Sequence, residues 1–542
     1  MATLPVRQLG QAGIITDAAP ESLPPNAWSG GINVRFTSNK VQRAPIHRLM
    51  KSGLSATTPV FCYGLYTQDG YDSVIYCNND GTIYQLSSGT ETNITQSGHT
   101  PNVDQRPYTG CTNAQVTYLN RPDGPPIALL PSGAAFETLP NWPSGDTCVS
   151  LRAFGSFLVA LNVTKASVAY PNMVKTSDVV SNGAVPDSWD NTDPTKLATE
   201  NEIDELKTEI VDGGPLGDIF IIYSHDEVVR MDNIGGGFLF EYTRLPFDNA
   251  GLVNQNCWIE VDNRHYAWGE NDIYVHDGVT KESIADQRIH DKFFQYLNMK
   301  DSNAFFVCED KQRREVLFCG VSGSPDATIQ STNGFCNYAA VYNYANNTWS
   351  FRDLPNVSFA TVANANTVLT YATCPAGLEY ANVGGTYFDQ SDSFSRFAVV
   401  TLVPNSPYGL TTANLDALDN ADTGRLALQL DAPTVFPAWV QRIGFDAEQA
   451  GGDYRGYKQA RAILPQVQVF APGVTLGVQV GAHLVGQSTV AYDALTAFDP
   501  TSMYKVDTRQ AGRYLAVKFT MTTANDFDLS GYDLDLMITG KR

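Results

Sequence analysis

Residues 218–242 read DIFIIYSHDEVVRMDNIGGGFLFEY. Asp218–Ser224 and Glu227–Met231 are dense in β-branched and aromatic side chains, which pack well on a pleated surface. The short Ser224-His225-Asp226 step between them reads as a hairpin turn, and Gly237–Tyr242 follows as a third strand after a glycine-rich connection. A cluster of short antiparallel strands is therefore predicted.

The same writing recurs outward in both directions. Upstream lie Phe61–Thr67, Ser73–Cys77 and Thr82–Leu86, joined by Asp69-Gly70 and Asn79-Asp80-Gly81, which are hairpin signals. A second cluster holds Gln115–Asn120, Pro126–Leu130 and Ala135–Leu139 and closes on Trp142; a third starts at Ser150–Leu161. Downstream come Cys257–Val261, His265–Trp268 and Asp272–His276, closed by Asp277-Gly278, then Asn303–Glu309, Glu315–Gly320, Tyr338–Tyr344 and Asn347–Phe351. Clusters of three or four strands at roughly 50-residue spacing are how a β-propeller writes its blades. The six clusters predict a six-bladed β-propeller over 55–355, in preference to a large sandwich or a β-helix.

The flanks differ. Residues 1–54 form an irregular leader with one strand hairpin, in which Ile32–Phe36 pairs with Lys40–Pro45. Thr192–Val211 places Leu197, Ile203, Leu206 and Ile210 near helical spacing, so one inserted helix is expected between the third and fourth blades. Residues 356–440 are rich in Asn, Thr, Ala, Gly and Asp and read as a projecting insertion that contacts a partner. Over 441–542 the strands resume: Arg461–Phe470, Thr475–Val480, Gln487–Tyr492, Gly512–Met521 and Asp528–Ile538 predict a β-sandwich-like C-terminal domain.

Composition narrows the function. Of 542 residues, 43% are hydrophobic and 17% charged, a globular rather than disordered balance. The formal charge of −21 repels phosphate and anionic headgroups, which excludes wrapping nucleic acid or docking on an acidic membrane. Such a charge keeps a large protein soluble, and it would also suit a wall that DNA passes without sticking. The nine cysteines (62, 77, 111, 148, 257, 308, 319, 336 and 374) form no C-x-x-C pair and sit in apolar runs, so reduced, buried thiols are expected. The start MATLPVRQLGQAG lacks the pattern of a signal peptide, and no apolar run is long enough to span a bilayer. The sequons at Asn93, Asn162, Asn346 and Asn356 then read as chance matches.

Among His47, His99, His225, His265, His276, His290 and His483 only His265 and His276 are near neighbours, without ligand spacing around them, and packing is the better reading. Gly213-Gly214-Pro215-Leu216-Gly217 and Gly235-Gly236-Gly237 lack the Lys-Ser/Thr and helix of a phosphate cradle. Asp226-Glu227 and Glu309-Asp310 are acidic pairs such as glycoside hydrolysis uses, but they flank hairpin turns in a chain where acids abound. No catalytic, cofactor-binding or metal-binding residue is nominated.

One resemblance bears on function. The order Asp212-Gly213-Gly214-Pro215-Leu216, Ile219–Ser224, Glu227–Met231, Phe238–Tyr242, Gly251-Leu252-Val253 and Asn271–Gly278 resembles the central part of tail nozzle or tail hub proteins of short-tailed, podovirus-type bacteriophages, some of them called packaged-DNA stabilisation proteins. Trp28–Phe36 is similar to their opening, and Gly512–Leu515 with Leu529–Leu534 to their closing strands. Residues 360–440 fall outside it. The resemblance implies a structural virion protein of the tail, assembled in the host cytoplasm, with no reaction, cofactor or membrane. It implies a homohexamer below a head-to-tail adaptor ring, with tail fibres or a tip or needle protein as further partners. Such a ring retains packaged DNA and conducts it at ejection, without sequence-specific binding. The competing functions are a receptor-binding tail module and a tail-associated polysaccharide depolymerase.

Overall fold

The computed structural model describes residues 2–51, 59–65, 73–87, 90–102, 106–236, 238–328, 331, 334–362, 369–373, 398–403, 436–446, 456–470, 472–484, 489–523 and 525–540. The chain is mainly β. Five consecutive four-stranded antiparallel meanders come first: Pro59–Leu65 to Thr90–Asn93, Thr109–Asn113 to Glu137–Thr138, Thr147–Phe154 to Thr199–Glu202, Ile210–Leu216 to Phe240–Arg244, and Trp258–Val261 to Lys281–Ser283. A sixth sheet opens as a meander from Phe306–Asp310 to Thr348–Val362 and continues through Leu369–Thr373 and Ala398–Val403 to Ile46–Lys51 of the leader. This is a propeller-like β arrangement.

Why these residues form strands is clearest in the second and third strands of each meander. Ser73–Asn78, Val116–Asn120 and Glu315–Gly320 are buried along their whole length, as expected for strands covered on both faces. First strands of successive meanders touch: Thr109–Asn113 meets Thr147–Phe154, which meets Ile210–Leu216, and Trp258–Val261 meets Phe306–Asp310. Strand Thr348–Val362 then returns to Pro59–Leu65. There Ser358 donates to the Pro59 carbonyl at 2.8 Å, the Gly64 amide donates to Thr361 at 2.8 Å, and the Phe61 and Phe359 rings lie 4.4 Å apart.

The remaining strands build two sheets shared by both ends of the chain. In one, Phe527–Gly540 lies between Tyr457–Val469 on one side and Ala2–Arg7 and Lys40–Arg43 on the other. In the other, Gly30–Ile32 pairs with Ala438–Phe445, which pairs with Tyr514–Met521 and then Leu476–His483. Trp28 packs against Phe519 of one sheet and Tyr532 of the other, at 6.2 and 6.4 Å between rings. The leader is thus no loose appendage. Its Asn33, in the left-handed region at φ 56°, donates to the buried Asp353 carboxylate at 2.7 Å and accepts from the Asp353 amide at 2.9 Å.

Some expectations are corrected. No helix forms over Thr192–Val211: Thr199–Glu202 is the outer strand of the third meander and Ile210–Leu216 opens the fourth. The side chains of Asp190 and Asp193 accept from the amides of Thr192 and Thr195, two residues on, an alternative to helical hydrogen bonding, and Pro194 follows Asp193. Among the described residues an α-helix forms instead at His290–Gln295, which the sequence reading does not anticipate. The boundary placed at residue 355 falls inside strand Thr348–Val362, and most of 356–440 lies outside the described residues. Two of the four sequons are unusable in the folded state, since Asn162 and Asn356 are buried.

Eight of the cysteines are buried, and Cys374 lies outside the described residues. Burial pushes up the thiols of Cys77, Cys111, Cys148, Cys257, Cys308, Cys319 and Cys336, at Cys111 to about 12, so few thiolates exist there at neutral pH. Titration with a chromogenic disulfide reagent is expected to release eight more thiols in guanidinium than in the native state. Rapid native reaction of several thiols would contradict this packing.

Candidate functional site: the polar hub

The first strands of the meanders converge on a buried carboxylate. Asp212, fully buried on Ile210–Leu216, accepts six hydrogen bonds: from Ser150, from Arg152 Nε (3.0 Å) and Nη2 (2.6 Å), from the Gly213 (2.8 Å) and Asn256 (3.0 Å) amides, and from Trp258 Nε1 (3.0 Å). Burial alone raises a carboxyl pKa; here the Arg152 charge and these donors outweigh it and hold Asp212 below its ordinary range. Arg152 also donates to the Gly110 carbonyl (3.3 Å) and to Asn256 Oδ1 (2.8 Å), and Asn256 Nδ2 donates to the Tyr108 carbonyl (2.9 Å). One connected network therefore joins the second, third, fourth and fifth meanders.

Glycine and aromatic residues interleave around it. A Cβ on Gly214 would lie 1.8 Å from the Trp258 ring, and one on Gly110 would lie 2.8 Å from the Tyr63 ring. The space that a side chain would take is filled by the ring of another meander. The glycines at 213–214 thus serve close packing, which answers why they resembled a cradle without being one.

Beside the hub, Tyr223 bridges the two histidines singled out in the sequence, at 2.7 Å from His265 Nδ1 and 2.6 Å from His276 Nε2. His265 Nε2 faces the Pro215 carbonyl at 2.8 Å, and the Gly278 amide donates to His276 Nδ1 at 3.2 Å. A carbonyl only accepts and an amide only donates, so the network assigns the tautomers. His276 Nε2–H donates to Tyr223, Tyr223 donates to His265 Nδ1, and His265 Nε2–H donates to Pro215. Burial holds both imidazoles neutral, His265 down to about 4 and His276 to about 3. Among the described residues no group of three or more His, Cys, Asp or Glu is placed to hold a metal ion.

The acidic pairs are spread over structural contacts. Glu227 pairs with Arg244 (2.6 Å), Asp310 with Arg313 (2.7 Å), and Glu309 accepts from Tyr344 (3.0 Å). Of the other histidines, His225 faces the Leu252 carbonyl, His290 that of Asn271, and His483 stacks on Tyr514. Arg152, Asp212 and Asn256 escaped the sequence reading because nothing local marks them; their contacts span 44 to 104 residues.

Removing one partner of a buried ion pair leaves the other uncompensated, at about 3–5 kcal/mol. Asp212→Asn and Arg152→Met are each expected to cost that much in guanidinium unfolding, and the double variant clearly less than the sum. Single losses below about 1 kcal/mol would remove the hub from its central place. Gly214→Ala should cost about 1–3 kcal/mol by overpacking Trp258.

Comparison with protein-family models finds none that matches this chain, and comparison with curated proteins finds no match.

Proposed function

We propose that this chain is a passive structural part of a short-tailed bacteriophage tail, a six-bladed β-propeller serving as tail nozzle or hub. The observation that carries the reading is the return of strand Thr348–Val362 onto Pro59–Leu65, which brings the sixth meander back to the first. Six meanders in one closed ring, four of them riveted by the Asp212 network, make a rigid body suited to bearing load in an assembly. The two sheets built by both chain ends act as a C-terminal β-sandwich beside it.

Where DNA would run follows from the architecture: a small propeller's own axis is normally plugged by strands and side chains, so a single copy offers no room for a duplex. The conduit then lies between copies in a ring, the closed symmetry that a sixfold nozzle supplies. The formal charge of −21 keeps DNA from adhering to its wall. In this reading six copies sit below the adaptor ring in the virion tail, retain packaged DNA and release it at ejection.

A second reading, glycan binding by a receptor-binding or depolymerising tail module, is favoured by a cleft of about 940 Å³ lined by Thr3, Gln459, Arg461, Asp493, Asp507 and Asp535 among others. Symmetry separates the two. Electron microscopy of the tail complex is expected to find six copies around an axial channel wide enough for duplex DNA. Three peripheral copies would favour the glycan reading. Purified protein should show no hydrolysis of host polysaccharide; turnover abolished by one Asp or Glu substitution would overturn the structural reading.

A further inference from the structure

The Tyr223–His265–His276 chain does more than fill space. It crosses the seam between two meanders: Tyr223 belongs to Ile219–Ser224 of the fourth, and His265 and His276 lie opposite each other on Arg264–Trp268 and Ile273–His276 of the fifth. All three side chains are at most 2% exposed. We propose that this chain is an acid-sensitive latch, which holds the fourth and fifth meanders together while both imidazoles are neutral and releases that seam when they take up protons. The proposal stands on the hydrogen-bond chain and holds whether or not the chain serves in a phage tail.

The geometry gives a bound proton no favourable place. Each imidazole has one lone-pair nitrogen, and both already accept a hydrogen bond: His265 Nδ1 from Tyr223, His276 Nδ1 from the Gly278 amide. A proton on His276 Nδ1 would point a second N–H at the first. A proton on His265 Nδ1 would reverse the Tyr223 bond and leave the tyrosine hydroxyl without an acceptor, because Tyr223 already accepts from His276. The two rings lie 5.4 Å apart, so a doubly protonated pair also repels itself.

Nearby charges give only partial relief: burial outweighs the pull of Asp212 on a proton at His265 and of Asp277 on one at His276. Asp212 is committed to Arg152, and Asp277 to the amides of Val279 and Thr280. Glu260, opposite His265 across the sheet, accepts from the Asn263 amide. Lys281, opposite His276, is itself a cation, and Tyr274, stacked on His276 at 6.0 Å, exchanges hydrogen bonds with the Gly251 backbone. Release would also reach the hub, because Trp258 stacks on His265 at 4.6 Å while donating to Asp212.

The sign follows from linkage. Both histidines have folded-state values, about 4 and about 3, below the ordinary 6.5, so the opened seam binds more protons than the closed one. Their contribution is complete above pH 6.5 and is lost as pH falls towards 4. With each proton taken up the opening equilibrium rises about tenfold per pH unit, so two give up to about a hundredfold between pH 6 and pH 5.

Hydrogen exchange by mass spectrometry on the full chain tests this, with rates corrected for the intrinsic effect of pH. Ile219–Ser224, Arg264–Trp268 and Ile273–His276 should lose up to a hundredfold in protection from pH 6 to pH 5, while Phe157–Lys165 and Glu315–Gly320 hold theirs. In His276→Gln, which keeps a donor for Tyr223 but not the titration, the same strands should lose only about tenfold. Unchanged protection at the seam, a loss spread evenly over all meanders, or a His276→Gln profile as steep as the native one each overturns the latch. If that variant does not fold, the native profile alone decides, by whether the loss is confined to the seam.

Discussion

A carboxylate with no access to water must find its solvation in the protein, and at Asp212 that requirement ties four meanders together. Its donors come from three different meanders, and Arg152 and Asn256 extend the network to a fourth. A buried ion pair adds little net stability over an apolar core of the same shape, but it is satisfied in one arrangement only. Apolar first strands could slide by two residues and still bury their side chains. With Asp212 in place, such a slip would strand a charge. Gly214 under Trp258 imposes the same register by sterics, since only glycine leaves room for that ring. The hub is therefore better understood as the fixing of register than as a store of stability.

The ends of the chain solve a different problem. A sheet edge is a template for unwanted pairing, and strands Ala2–Arg7 and Lys40–Arg43 cover one flank of Phe527–Gly540. These pairings join residues more than 480 positions apart, so loop-closure entropy must be met before they stabilise anything. Burial pushes the Asp353 carboxyl up to about 6, so the ionised pin that binds Asn33 and Thr328 carries a cost at neutral pH. The fold accepts it because Asn33 simultaneously reaches the Pro437 carbonyl and fixes three segments at one point.

What was legible in the sequence tracks burial. Ile219–Ser224 and Glu315–Gly320 announce themselves because both faces are covered and nearly every residue is apolar. Outer strands such as Thr199–Glu202 and Lys281–Ser283 read TENE and KES; one edge faces water, no apolar alternation is required, and neither was anticipated. The expected helix at 192–211 arose from the same blindness: Ile203, Leu206 and Ile210 are buried, but they serve a turn and a new strand rather than one helical face. The site was legible only in part. His265 and His276 stood out as a close pair, whereas Tyr223, which joins them, is 42 and 53 residues away and carries no local signal.

The same separation of inside from outside bears on the acidic charge. Arg152 with Asp212, Arg313 with Asp310 and Arg352 with Glu315 are buried pairs that cancel within the core. Arg43, Arg442 and Lys458 are also buried, and they donate to backbone carbonyls: Arg43 to Met521 and Phe436, Arg442 to Leu23, Lys458 to Arg513. Acids are withdrawn as well: among the described residues Asp146, Asp212, Glu227, Glu309, Asp310, Glu315, Asp353 and Asp528 are buried and balance the buried cations, so burial makes the described surface no more negative than the sequence does. Cations spent on carbonyls and carboxylates inside hold the fold together, and burial withholds them from any partner at the surface.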